Sequence, residues 1–149
     1  MNYIKSFSTI ILISAVLMNC NGKKQGNEEA HSEHKAQNKN TGIELNQGEK
    51  WIVNEEMKPF LKQSEEILHS YIASNDTSHS ELAGQLKAQN DQLISSCTMK
   101  GKSHDELHKW LHPHLQLVKQ LKNAESEKEA KALIQKLEDS YKIYHHHFQ

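Results

Sequence analysis

The chain has 149 residues, in which 18 lysines and no arginine stand against 19 acidic residues for a formal net charge of −1. Such a length supports one domain with a single core once a leader and a spacer are set aside. Without arginine the chain lacks the side chain that leads in phosphate clamping and base-edge reading, so nucleic acid is excluded as an expected partner.

The amino terminus reads as a secretory leader. Residues 1–5 carry one positive charge, from Lys5, and Ile10 to Met18 is apolar apart from Ser14. That run is too short to span a bilayer and has the layout of a signal peptide. Leu17-Met18-Asn19-Cys20 follows, with a leucine three residues before the cysteine. The segment resembles the lipobox of bacterial lipoproteins, with Asn19 standing where Gly, Ala or Ser is usual. The resemblance covers residues 1–20 only. It implies removal of residues 1–19, diacylglycerol on Cys20 and a lipid-anchored place in the bacterial cell envelope, periplasmic or surface-facing. Two or more acyl chains make a stable anchor. If Cys20 carries lipid, Cys97 has no intramolecular partner, and a lone thiol in an oxidising compartment calls for burial, a metal or an intermolecular bridge.

Residues 20–45 are expected to form the lipidated cysteine and a disordered linker. Asn21 to Gly42 is rich in Asn, Lys, Glu, Gln, Gly and Ser and has no aromatic residue. Such a stretch cannot bury enough apolar surface to offset its ordering entropy. His31 and His34 fall within it and read as solvated side chains.

Residues 46–149 are expected to form an all-α, antiparallel up-down-up-down four-helix bundle. A short polar residue followed three positions later by Glu is a helix-start signal, and it recurs as Asn46/Glu49, Ser78/Glu81, Ser103/Glu106 and Ser126/Glu129. Behind each pair runs an apolar stripe at helical spacing. The first carries Val53, Met57, Phe60, Ile67 and Tyr71, and the second Leu82, Leu86, Leu93 and Cys97. The third carries His104, Leu107, Leu111, His114, Val118 and Leu121, and the fourth Leu133, Leu137, Tyr141, Tyr144 and Phe148. Short connections at 74–77, 98–102 and 123–125 make sequential helices antiparallel neighbours. Pro113 lies inside the third helix and is expected to kink it.

Histidine is the compositional anomaly, at 11 residues against four tyrosines. From Cys97 to His114 one thiol, the Met99 thioether and four imidazoles lie close together. These side chains bind soft and borderline metals or an iron porphyrin. His104 and His108 are four apart, the spacing at which two imidazoles on one helical face hold one ion. The bundle topology places Trp51, Met57, Cys97, Met99, His104, His108 and the tail His145-His146-His147 at one end. His112 is expected roughly 12 Å above His104, at mid-bundle. Each candidate also has a plain structural reading: Cys97 and Met57 as core, His114 as a satisfied buried histidine, the pair 104/108 as a solvated face.

No nucleophile elbow, phosphate loop, His-Glu-x-x-His or Cys-x-x-Cys-His motif is present, so no enzyme is expected. Three functions compete. The first is binding of a thiophilic ion, copper(I) above all and zinc less so, for sequestration or transfer to and from a donor or acceptor protein. Its ligands would be Cys97, Met99 and His104, with His108 and His145 auxiliary. The second is a non-catalytic helical interaction module. The third is non-covalent haem binding, because Met57 and His145 are similar in placement to the iron ligands of b-type cytochrome bundles.

Overall fold

The computed structural model describes residues 42–149. The expected signal peptide, the expected lipidation site Cys20 and the histidines His31 and His34 of the expected linker lie outside the described residues. The described residues form four helices: α1 (Lys58–Ser74), α2 (His79–Ser95), α3 (Lys102–Lys122) and α4 (Glu127–His147). Each packs against the next, and α1 also meets α4, so the ring closes into the expected bundle. None of the described helices is long and apolar enough to cross a membrane.

The last helix starts as its sequence predicts. Ser126 Oγ accepts the Glu129 backbone N–H at 3.2 Å, and Glu129 Oε2 accepts the Glu125 N–H at 3.0 Å. Each bond satisfies a backbone donor at the helix entrance. α2 has Ser78 at its N-cap without a side-chain cap bond. α3 is capped by Gly101, not Ser103, and Gly101 has φ 68°, a left-handed conformation that suits glycine. α3 continues through Pro113 to Lys122.

The Asn46/Glu49 pair is a turn, not a helix start. Asn46 and Glu49 exchange both backbone hydrogen bonds, at 2.8 and 3.0 Å. Gln47 and Gly48 have φ of 54° and 95°, the two positive values of a tight hairpin turn. α1 begins only at Lys58, where Pro59 occupies the first turn and gives up no needed donor. Val53 therefore precedes α1, and the buried face of the helix is Leu61, Ser64 and Leu68, with Met57 at its cap. Phe60, Ile67 and Tyr71 lie at the edge of the core.

Residues 42–57 form a strap over one end of the bundle. Trp51 N–H donates to His147 O, Gln149 N–H to Trp51 O, and Val53 N–H to Gln149 O, all within 2.8–2.9 Å. Trp51 Nε1 donates to Glu44 O at 2.6 Å. Part of the expected linker is thus docked: Glu44 N–H donates to Glu106 Oε2 at 2.9 Å, and Lys109 Nζ donates to Gly42 O at 2.9 Å. Asn54 also reaches Ser96 O, at 3.4 Å. The strap ties the entrance of α1, the α2–α3 turn and the end of α4 into one end of the bundle, the convergence that the topology predicts.

The core is apolar, with Leu68, Leu86, Leu121, Leu137 and Val53 fully enclosed. A small polar set sits inside it. Trp110 Nε1 donates to Ser140 O at 2.8 Å, His114 Nδ1 and Ser140 Oγ share a bond of 3.0 Å, and the Tyr141 hydroxyl donates to Ser64 Oγ at 2.6 Å. Burial pushes the Tyr141 phenol above its ordinary range despite the Ser64 bond.

Candidate metal-binding site

His104, His108 and His112 stand one above another on successive turns of α3. Residues four apart on a helix are neighbours on its surface. Here the neighbours touch. His104 Nε2 and His108 Nε2 are 3.0 Å apart, and His108 Nδ1 and His112 Nε2 are also 3.0 Å apart. The ring centroids are separated by 4.3 and 4.8 Å. His104 and His108 are half-buried and His112 is exposed.

Partial burial lowers the affinity of His108 for a proton, and the charges that His104 and His112 would carry lower it further. The middle imidazole is therefore biased to its neutral form, which keeps a lone pair for a metal. Asp105 Oδ1 lies 3.9 Å from His104 Nδ1. A carboxylate on that side favours a proton on Nδ1 and leaves Nε2 as the donor nitrogen.

The pair His104/His108 is brought together as its spacing predicts. The other expected ligands have different surroundings. Cys97 is a free, half-buried thiol past the end of α2. Met99 is half-buried in the turn, and both sulfurs' residues pack against the edge of the core. His145 is exposed, and its Nε2 lies 2.9 Å from Glu65 Oε2 on α1. It also lines a groove of about 230 Å³ with Leu61, Tyr141, Tyr144 and Phe148. Met57 is fully buried in the core and does not line that groove. Among the described residues, no group of three or more His, Cys, Asp or Glu side chains is placed to hold a metal ion. The arrangement offers pairs.

His112 extends the pair, although spacing alone placed it at mid-bundle, away from the expected ligands. Its signal was present in the repeated step of four through 104, 108 and 112. Glu106, expected as the acid of a helix start, is a buried hub, 2% exposed. Burial pushes its pKa up, but bonds from Lys109 Nζ and the Glu44 N–H, with the Lys109 and Lys102 charges, outweigh that and hold it below the usual range.

Comparison with known proteins finds no matching family model, no matching curated protein and no matching solved structure.

Proposed function

We propose that this chain is a lipid-anchored envelope protein whose bundle binds a thiophilic metal ion, copper(I) above all, for sequestration or transfer. The observation that carries the reading is the 3.0 Å approach of His104 Nε2 and His108 Nε2. Two nitrogens bound ~2.0–2.1 Å from one tetrahedral ion stand roughly 3.3 Å apart, so a small rotation of either ring admits the ion. Cys97 and Met99 lie in the turn that leads into the same helix, half-exposed and without a disulfide. Thiolate and thioether donors favour copper(I), and a thioether is a poor ligand for zinc.

The test is a titration of the reduced protein with copper(I) against a competing chelator. One equivalent should bind more tightly than zinc, and more tightly as pH rises, because the thiol and imidazoles must shed protons. Cys97→Ser should weaken binding far more than His146→Ala, which changes an exposed tail position. Met99→Leu should lower copper(I) affinity and leave zinc nearly unchanged. If Cys97→Ser binds copper(I) as well as the parent protein, the hairpin is only a turn and the domain is better read as a helical interaction module.

A further inference from the structure

We propose that His104, His108 and His112 form a ladder of two overlapping two-nitrogen seats that share His108 and hold one imidazole-preferring divalent ion between them. The inference shares His104 and His108 with the copper(I) reading but needs neither sulfur.

The reason lies in which nitrogens meet. His108 presents Nε2 to His104 and Nδ1 to His112, opposite sides of one ring. A single ion cannot take both nitrogens of His108, so three histidines do not make one three-ligand site. They make a lower seat, His104 Nε2 with His108 Nε2, and an upper seat, His108 Nδ1 with His112 Nε2. Imidazole suits copper(II), nickel(II) and zinc.

Proton bookkeeping couples the seats. A neutral imidazole has one N–H donor and one bare nitrogen. An ion in the lower seat needs His108 Nε2 bare, so the proton sits on Nδ1 and donates to His112 Nε2. An ion in the upper seat needs His108 Nδ1 bare, so the proton sits on Nε2 and donates to His104 Nε2. In either state the third histidine accepts the hydrogen bond that fixes the tautomer of the shared ligand, the usual task of an outer-shell partner. Filling both seats at once would require His108 to lose its last proton. The ladder therefore takes one ion, and the ion can pass from the half-buried rungs at 104/108 to the exposed rung at 112 by exchange of a proton across one ring.

The test uses the full-length protein carrying Cys97→Ser and Met99→Leu, so that the soft donors are absent, titrated with nickel(II) by calorimetry. The ladder predicts one equivalent. His104→Ala and His112→Ala should each keep one equivalent with an affinity loss on the order of tenfold, because one seat survives without its orienting partner. His108→Ala, and the double variant His104→Ala/His112→Ala, should lose more than about a hundredfold, since neither retains two adjacent rungs. Circular dichroism should remain helical throughout, because these side chains are not fully buried. Equal losses in the three single variants, an unchanged His108→Ala, or no nickel(II) binding by the parent would overturn the proposal. Copper(I) binding by the protein with its sulfurs intact, alongside failure here, would leave the copper(I) reading standing. Nickel(II) binding here, with copper(I) indifferent to Cys97→Ser, would do the reverse.

Discussion

His114 stacks on Trp110 in the middle of the bundle, with ring centroids 4.9 Å apart and planes inclined by 29°. It is fully buried, and its Nε2 has no hydrogen-bond partner. Tyr141 meets it edge-on at 5.0 Å, and Ser140 Oγ holds Nδ1. The contacts named around this ring carry no opposite charge. Burial accordingly lowers its pKa from 6.5 to about 4.

That shift predicts a pH-dependent stability. The unfolded chain binds a proton at this position below about pH 6.5 and the folded chain only near pH 4. The contribution is complete above pH 6.5 and is lost as pH falls toward 4, by about 3 kcal/mol over the window. Urea unfolding in chelator-treated buffer should show it. His114→Phe, which removes the unpartnered nitrogen and keeps a ring against Trp110, should flatten the curve between pH 6.5 and 4. Parallel curves for the two proteins would refute the assignment.

Glu106 predicts how the strap is held. Glu106→Ala removes the acceptor of the Glu44 N–H and the partner of Lys109. Lys109 keeps its bond to Gly42 O, and leaving the Glu44 N–H without an acceptor should cost about 1–3 kcal/mol. Amide exchange at Glu44 and Trp51 should accelerate, with less change at Leu86 or Leu137. Uniform acceleration across the bundle would mean that the strap does not open as a separate unit.

Leu137 is fully enclosed at the centre of α4. Leu137→Ala should cost about 2–5 kcal/mol through lost burial and a cavity. Leu137→Pro should cost roughly 3 kcal/mol or more from the helix break alone. Thermal unfolding followed by circular dichroism reads both. A change within error for Leu137→Ala would contradict the packing described.

The anchor has its own test. Labelled palmitate should mark the parent protein when it is expressed in a bacterial host. Cys20→Ala should be unlabelled and should leave the membrane fraction. Label retained in the variant would sink the lipobox reading.

Much of this architecture was legible because it is local. The Ser126/Glu129 box and the stripe through Leu133, Leu137, Tyr141, Tyr144 and Phe148 both match the structure, since caps and periodicity act within a few residues. The entrance of α1 lies away from its expected place for a related reason. Asn46 and Glu49 have the spacing of a capping box, but Gly48 between them favours a turn and Pro59 fixes where a helix can begin. Ser64 was invisible as a core residue because its partner, the Tyr141 hydroxyl, is 77 positions away. The candidate site divides along the same line. The step from His104 to His108 is local and legible, whereas the Glu65 carboxylate beside His145 is 80 positions away. The docking of Glu44 on Glu106 likewise spans 62 positions, and no periodicity announces it.

The strap also has a mechanical consequence. Tension arriving through the chain before Gly42 meets the Gly42–Lys109 and Glu44–Glu106 bonds before it reaches the core residues Trp51 and Val53. Those few bonds would rupture in sequence, like a seam, while the bundle behind them is still intact. Peeling the strap as far as Lys50 would release up to roughly 30 Å of extended chain. A force–extension trace should therefore show one small early step before the large one, and Glu106→Ala should bring that early step to lower force. The docked segment is in this sense a fuse, which lets the end of the domain give way under load while its core stays shut.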